Sequence, residues 1–237
     1  MFDLINRFDR QTLLENYGQE SIIKLEKSSV TIIGAGGLGS PILTYLTIAG
    51  VGKIIIIDDD NVDVSNLSRQ FIHTEDSVSA SKVQSAKNFL KKLNSDTKII
   101  TVNSHFPDSN STKLAITSNV IVDATDNFNT KQAIAEFCKK EDKSLVWGTL
   151  AKQSGYFAST GLGGPFITEC FSTLPNINNR NVDARLSGVL GAACGTIGSL
   201  MTMLIFRELI EPEKKIEDVL FYFNGSAMSL QKLRILS

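Results

Sequence analysis

Short apolar runs alternate with longer amphipathic segments through the first 150 residues of the chain. The runs predict buried strands at Val30–Ile33, Lys53–Ile57, Ile99–Val102, Val120–Val122 and Leu145–Trp147. Aliphatic runs of this length, bounded by turn residues, are typical of strands that are covered on both faces. Between them, apolar residues recur at helical spacing and predict helices at Arg10–Lys27, Pro41–Ala49, Ser79–Leu93 and Lys131–Cys138. This alternation predicts an α/β fold with a doubly wound, mainly parallel sheet.

The pattern changes after Gly148. Weak alternation predicts antiparallel strands at Ser154–Thr160 and Phe166–Phe171, and a small-residue-rich apolar stretch predicts a buried helix at Gly188–Leu209. Val219–Phe223 and Ser229–Ile235 are expected to close the sheet as a hairpin whose turn starts at Asn224. The sheet is therefore expected to be extended by C-terminal antiparallel strands, with the polar segment Pro175–Ser187 as a long loop.

Composition narrows the class of protein. With 42% hydrophobic and 21% charged residues in 237, the chain can bury a sizeable core. The 24 basic and 25 acidic residues give a net charge of −1, which excludes binding of nucleic acid through bulk positive charge. Three scattered cysteines provide no disulfide framework and no CxxC pair. The N-terminus has no secretory pattern and no uninterrupted apolar run is long enough for a membrane span, so we expect a cytoplasmic protein.

A glycine-rich turn follows the first predicted strand. Gly34, Gly36, Gly37 and Gly39 lie in the sequence GAGGLG, which satisfies G-x-G-x-x-G between a strand and a helix. Glycines let the main chain approach a phosphate, and the helix N-terminus supplies N–H donors. Asp58, 19 residues after Gly39 and at the end of the next strand, can accept hydrogen bonds from ribose hydroxyls. The pattern predicts a nucleotide pocket, without separating NAD from ATP or excluding a tight turn with no ligand.

Further polar residues follow the ends of the predicted strands, where ligands bind in parallel sheets. They are Asn66, Arg69, Gln70, Lys82, Asp126 and Asn127. An arginine fork and a lysine suit a triphosphate, and a carboxylate such as Asp126 can hold Mg²⁺ against it. Each residue also has a structural interpretation. Arg69 could pair with Asp59 or Asp63, Lys82 could be a solvated helix residue, and Asp126 could cap the next helix.

The motifs RFDRQ, GAGGLGS, DDDNVDVSNLSRQ, DATDN and GVLGAACGTIGSL occur in the order seen in one family. Together they resemble the ThiF/MoeB/HesA family, adenylyltransferases related to ubiquitin-activating enzymes. The resemblance covers most of the chain and implies a Rossmann-like fold in a single adenylation domain, 1–237. Within it, 1–28 would form a helical arm, 29–150 the nucleotide-binding half, and 151–237 a carrier-binding and dimer half with a mobile loop at 175–187.

The resemblance also implies roles for individual residues. Asp126 would coordinate Mg²⁺, and Arg10 would reach the γ-phosphate from the neighbouring subunit of a homodimer. Residues implied in ATP binding are the four glycines, Asp58, Asp60, Asn66, Arg69, Gln70, Lys82, Asp126 and Asn127. The reaction would be attack of a carboxylate on the α-phosphate of ATP, with pyrophosphate released. That carboxylate would belong to the C-terminal glycine of a ubiquitin-like sulfur-carrier protein.

The chain departs from the family pattern in its cysteines. Where many members carry a first zinc-binding CxxC pair, this chain has Ile167-Thr168-Glu169-Cys170, so we expect no zinc site. Ala184 stands near the place of a cysteine used by members that transfer sulfur, which predicts no covalent step there. Cys138 and Cys194 are expected in the core, whereas Cys170 is left open between core and reactive thiol.

Three other functions stay open at this level. The first is modification of a carboxylate in a ribosomally made peptide, which the zinc-free form favours. The second is an NAD-linked oxidoreductase, which would need a hydride-transfer acid or base that the sequence does not reveal. The third is a non-catalytic subunit, for which degenerate glycines or the loss of Arg69 or Asp126 would be the signature, and all of these residues are present.

Overall fold

The computed structural model describes residues 4–15, 17–170 and 188–234. The strands in these ranges are β1 (Ser29–Ile33), β2 (Lys53–Ile57), β3 (Lys98–Val102), β4 (Val120–Asp123), β5 (Ser144–Gly148), β6 (Ser154–Ser159), β7 (Val219–Asn224) and β8 (Ser229–Arg234). The helices are α1 (Leu4–Thr12), α2 (Gln19–Lys27), α3 (Gly39–Ile48), α4 (Lys82–Leu93), α5 (Ser109–Ala115), α6 (Phe128–Lys140), α7 (Ile167–Cys170) and α8 (Gly191–Ile210).

The strands form one sheet in the order β3-β2-β1-β4-β5-β6-β7-β8. The first five are parallel, and β6, β7 and β8 add to them in antiparallel pairs. The order reverses at β1, which pairs with β2 on one side and β4 on the other. The predicted fold class is confirmed, and the crevice beside β1 is where ligands bind in sheets of this kind.

Helices cover both faces of the sheet. One apolar cluster joins the sheet to α2, α3, α4 and α8, through residues such as Leu25, Leu43, Leu90 and Met201. The second cluster joins the other face to α5, α6 and α7, with Trp147 fully buried within it. All five residues of β1 are buried, so both of its faces are covered. Its two polar residues, Ser29 and Thr31, are hydrogen-bonded within the fold.

Two predictions about local structure were wrong. The single helix at Arg10–Lys27 is broken into α1 and α2, with Gly18 extended immediately before α2. The strand at Phe166–Phe171 is instead the short helix α7 over its described part. Glu169 Oε2 accepts a hydrogen bond from the Phe166 N–H at 2.9 Å. This backbone N–H is therefore paired with a side chain at the start of the helix, and it needs no partner in a neighbouring strand. Helix α5 was not predicted, and its cap is Asp108, which accepts from the Asn110 and Ser111 N–H groups.

Helix α8 is long and apolar enough, by length and composition, to cross a membrane, with a mean hydropathy of 1.4. It is 56% buried inside the fold, and a core helix meets the same criteria. It crosses α3 closely at Gly198, where a Cβ would lie 2.4 Å from Pro41 Cγ. The predicted loop Pro175–Ser187, with Arg180, Ala184 and Arg185, lies outside the described residues.

Candidate nucleotide-binding site

The glycine turn runs from β1 into α3 at the carboxyl end of the sheet. Gly34 has φ +100°, and a Cβ there would lie 2.7 Å from the Ala124 carbonyl oxygen. Only glycine fits this backbone at such an approach. The contact places the DATDN segment, which begins at the last residue of β4, directly against the start of the glycine turn.

Asp58 fastens the glycine turn to the end of β2. Its Oδ2 accepts from the Ala35 N–H at 2.7 Å, and its Oδ1 accepts from the Asp60 N–H at 2.9 Å. Burial raises the pKa of this carboxyl, and the nearby Lys82 ammonium and both N–H groups oppose that rise. Each carboxylate oxygen keeps a second lone pair. Asp58 can therefore accept from a ribose hydroxyl while it holds the turn.

Lys82 is the first residue of α4 and is buried, with a side chain 8% exposed. Its Nζ lies 2.7 Å from Asp60 Oδ2, and its N–H donates to the Asp60 carbonyl at 2.9 Å. The interpretation of Lys82 as a solvated helix residue is therefore wrong. Asp60 stays exposed. The pair keeps a buried ammonium in place next to Asp58.

Asn66, Arg69 and Gln70 form a compact turn between β2 and α4. The Arg69 and Gln70 N–H groups both donate to the Asn66 carbonyl at 3.0 Å. Arg69 donates to the Ser65 carbonyl at 2.9 Å, and within the described ranges it makes no ion pair with Asp59 or Asp63. Those two interpretations of Arg69 were wrong.

Gln70 brings this turn to the glycines. Its side chain is buried, its Nε2 lies 3.5 Å from where a Cβ on Gly36 would stand, and its Oε1 has no hydrogen-bond partner among the described residues. A buried polar atom without a partner needs an explanation. A ligand bound in the glycine turn would supply the missing hydrogen-bond partner of Gln70 Oε1. The same turn also contacts α8. A Cβ at Gly191 would lie only 2.5 Å from the Ser68 carbonyl oxygen, so glycine allows the helix to approach the turn this closely.

Asp126 and Asn127 connect β4 to α6. Asn127 is the N-cap of α6, and its Oδ1 accepts from the Thr130 N–H at 2.9 Å. The interpretation of Asp126 as the cap is therefore wrong. Asp126 is exposed and makes no hydrogen bond or ion pair with the described residues. Its carboxylate is available to a ligand.

Arg10 lies at the opposite end of the sheet from the glycine turn. Arg7 of α1 donates to the Leu93 carbonyl at the end of α4, and Phe8 packs against Gly50 just before β2. Both contacts are where strands β2 and β3 begin, and a five-residue strand spans roughly 17 Å. Arg10, two residues beyond Phe8 and exposed, is therefore not brought together with the other candidate residues of its own chain.

The donors and charges fit a magnesium-bound nucleoside triphosphate. The Gly36 and Gly37 N–H groups have no partner within the described residues, and Lys82 and Arg69 supply cations at the same end of the sheet. For Mg²⁺, the oxygen ligand expected from the sequence is Asp126. A second acidic group, Asp58, Asp59 and Asp60, has its carboxylate oxygens within 4.8 Å of one another, so it competes as a cation site.

Two features near the site were missed by the sequence analysis. The first is His73, whose ring contacts the Ala35 carbonyl of the glycine turn. The second is a buried ion pair between Lys131 and Asp123, the first residue of the DATDN segment, with Lys131 Nζ 3.1 Å from Asp123 Oδ1. Neither feature has a signal in a single sequence, because both depend on residues that only the fold brings together.

The three cysteines are buried. Burial raises the pKa of the Cys138 and Cys170 thiols to about 12, and a neighbouring carboxylate adds to each rise. Burial also raises the pKa of Cys194, whose Sγ packs against Gly37. The thiolate is the nucleophilic form, so these thiols are poor nucleophiles at neutral pH.

Solved structures share this fold. Escherichia coli MccB in complex with ATP superposes with a TM-score of 0.82 at 18% identity, covering 97% of this chain and 71% of that one. PaaA gives a TM-score of 0.82 at 17% identity and covers 84% of that chain.

Curated sequences are more closely similar. The adenylyltransferase and sulfurtransferase MOCS3 of Anopheles gambiae is 34% identical over 98% of this chain, which spans about half (53%) of that protein. The SAMP-activating enzyme E1 of Haloferax volcanii is 32% identical over 96% of this chain and 84% of its own length. The ThiF family model matches residues 8–237. The chain therefore belongs to the ThiF family.

Proposed function

We propose that this protein is an adenylyltransferase that uses ATP and Mg²⁺ to activate a carboxylate as an acyl adenylate. The substrate we infer is the C-terminal glycine of a ubiquitin-like sulfur-carrier protein. Family membership and the names of the relatives support the reaction class. The observation that carries the proposal is the buried Gln70 Oε1 beside the glycine turn, which has no hydrogen-bond partner in the described part of the chain. The Gly36 and Gly37 N–H groups, which are likewise unpaired there, and Lys82 lie close by.

The chemistry needs positioning and charge neutralisation and no protein nucleophile. The carboxylate oxygen attacks the α-phosphorus, the bond to the bridging oxygen breaks, and pyrophosphate leaves with that electron pair. Backbone N–H groups of the glycine turn, with Arg69 and Lys82, would hold the phosphates and balance their charge. Asn66, Gln70 and Asn127 would orient the nucleotide, and Asp58 and Asp60 would bind the ribose side. Mg²⁺, held by Asp126, would neutralise charge on the phosphates.

Carrier-dependent exchange of labelled pyrophosphate into ATP tests this proposal. We expect exchange with a small carrier that ends in Gly-Gly, and none when that terminus is amidated, because the attacking carboxylate is then missing. A precursor peptide with a free carboxylate is the second substrate class, favoured by the zinc-free cysteine pattern, and belongs in the same panel. Calorimetry should show binding of ATP with Mg²⁺ and not of NAD. Tight NAD binding, or no exchange with any carrier or peptide, would reject the proposal.

We propose further that residues 1–237 form one adenylation domain and that the enzyme is a cytoplasmic homodimer. The dimer is inferred because Arg10 lies at the far end of its own sheet. In such a dimer Arg10 would complete the partner's site. Mixing Arg10→Ala with Asp126→Ala subunits should then restore up to about a quarter of wild-type exchange, since half of the randomly formed dimers are mixed and each has one working site. No recovery would mean that each site is built from one chain.

A further inference from the structure

His73 joins three parts of the candidate site. It follows Gln70 by three residues, and its N–H donates to the Gln70 carbonyl at 3.0 Å. Its ring Nε2 lies 2.9 Å from the Ala35 carbonyl oxygen in the glycine turn. Its Nδ1 lies 2.9 Å from the Ser85 Oγ on α4, one turn beyond Lys82. The ring is buried, so water does not compete for these contacts.

The Ala35 carbonyl determines that Nε2 of the His73 ring carries a proton. A carbonyl oxygen only accepts, so Nε2 must carry the proton in the contact with Ala35. Nδ1 of the neutral ring then accepts from the Ser85 hydroxyl. Burial lowers the pKa of His73, and the Lys82 ammonium lowers it further. The hydrogen bond to the Ala35 carbonyl acts in the opposite direction and raises the pKa. Burial and the charge of Lys82 both favour the neutral ring.

The contact with Ala35 has a consequence for the glycine turn. A trans peptide group is planar, and its C=O and N–H point in opposite directions. Because the Ala35 carbonyl points at His73, the Gly36 N–H of the same peptide group points away from His73. The Ala35 N–H is already held by Asp58. The peptide groups on both sides of Ala35 are thus fixed, and the Gly36 donor is left without a partner within the described residues.

We propose that His73 is a positioning residue for the nucleotide: its neutral ring holds the Ala35–Gly36 peptide so that the Gly36 N–H faces the phosphates, and Ser85 keeps that peptide in register with Lys82. This inference rests on the proposed function and adds to it a residue that does not touch ATP. Its role is to preorganise two phosphate-binding elements that come from different parts of the chain.

His73→Leu and His73→Gln separate this role from packing. Leucine fills space and has no donor, whereas the glutamine Nε2 can reach the position of the imidazole Nε2. We expect His73→Leu to raise the KM for ATP in the exchange assay about 10-fold or more, because a buried carbonyl loses its donor. The KM for the carrier should change little. His73→Gln should restore most of the ATP affinity, and His105→Gln, at an exposed histidine, should behave as the wild type.

Two further measurements test the role of His73 even if the leucine variant fails to fold. Ser85→Ala keeps the helix, since alanine is the best helix former, and should raise the KM for ATP about threefold. Nitrogen-15 NMR of the wild-type imidazole, without ATP, should show the Nε2–H tautomer at neutral pH. An Nδ1–H ring, or ATP affinities of His73→Leu and Ser85→Ala equal to the wild type, would overturn the inference.

Equal losses of melting temperature and ATP affinity in His73→Leu and His73→Gln would also overturn it, in favour of packing alone. If the wild type binds no ATP, the proposed function fails and the role toward phosphates fails with it. The NMR result then reports separately on whether the ring holds the glycine turn.

Discussion

Asp126→Ala should lower carrier-dependent pyrophosphate exchange by at least about 100-fold and leave the fold intact. The loss is expected because Asp126 is the oxygen ligand proposed for Mg²⁺, and without the ion the charge on the phosphates opposes attack by a carboxylate. The fold should survive because Asp126 is exposed and has no hydrogen bond or ion pair with the described residues. Exchange at a series of Mg²⁺ concentrations, with circular dichroism of the same samples, measures both effects.

Asp59→Ala is the matched control. Asp59 is an exposed aspartate whose side chain lies 3.5 Å from His105, and it belongs to the acidic group Asp58, Asp59 and Asp60. If Asp126 holds the ion, Asp59→Ala should keep wild-type exchange and Mg²⁺ dependence. If the acidic group holds it, Asp59→Ala should require more Mg²⁺ and Asp126→Ala should not. The second pattern would contradict the role proposed for Asp126.

Lys131→Met should destabilise the protein by about 3–5 kcal/mol, since it leaves a buried carboxylate without its cation. Lys131 Nζ lies 3.1 and 3.2 Å from the two oxygens of Asp123, which is fully buried, and donates to the Gly148 carbonyl at 2.6 Å. This one ammonium therefore joins α6 to the ends of β4 and β5. At 2–4 °C per kcal/mol for a chain of this size, the melting temperature should fall by roughly 6–20 °C. Thermal and urea unfolding measure the change.

Lys139→Met provides the comparison on the same helix. Lys139 Nζ lies 2.8 Å from Glu169 Oε1, but both side chains are more than two fifths exposed (41% and 48%). An exposed pair of this kind contributes about 1 kcal/mol or less. The double variant Asp123→Asn/Lys131→Met should be more stable than Lys131→Met alone, since it removes the uncompensated charge as well. Equal losses in Lys131→Met and Lys139→Met would show that burial does not strengthen the Asp123 pair.

Local patterns predicted most of the sheet because its central strands are covered on both faces. Lys53–Ile57 was predicted with its observed bounds, since burial on both faces favours an apolar run such as Ile54–Ile57. Helix α6 is longer than predicted. Helix α4 begins at Lys82, three residues after the predicted start at Ser79. Ser79 has φ +73°, a conformation outside a helix that no sequence pattern indicates.

Two of the errors fall where a side chain far from any periodic pattern settles the structure. Glu169 turns a segment with weak alternation into α7 by accepting from the Phe166 N–H. Asp108 caps α5 in a polar segment that has too few apolar positions to reveal a helix. Such hydrogen bonds are worth about 1 kcal/mol each, enough to decide between conformations that have similar intrinsic propensity.

The sequence by itself determined the fold class, the glycine turn and the motifs of the family, because hydrophobic period and glycine spacing are local properties of the chain. The tertiary structure alone decided that Asp58 and His73 hold opposite sides of the residue Ala35, and that Lys82 is buried against Asp60. It also decided that Arg10 lies at the far end of the sheet from the glycine turn. These relations join residues that are far apart along the chain, and only the packing of the sheet against its helices sets the distances between them.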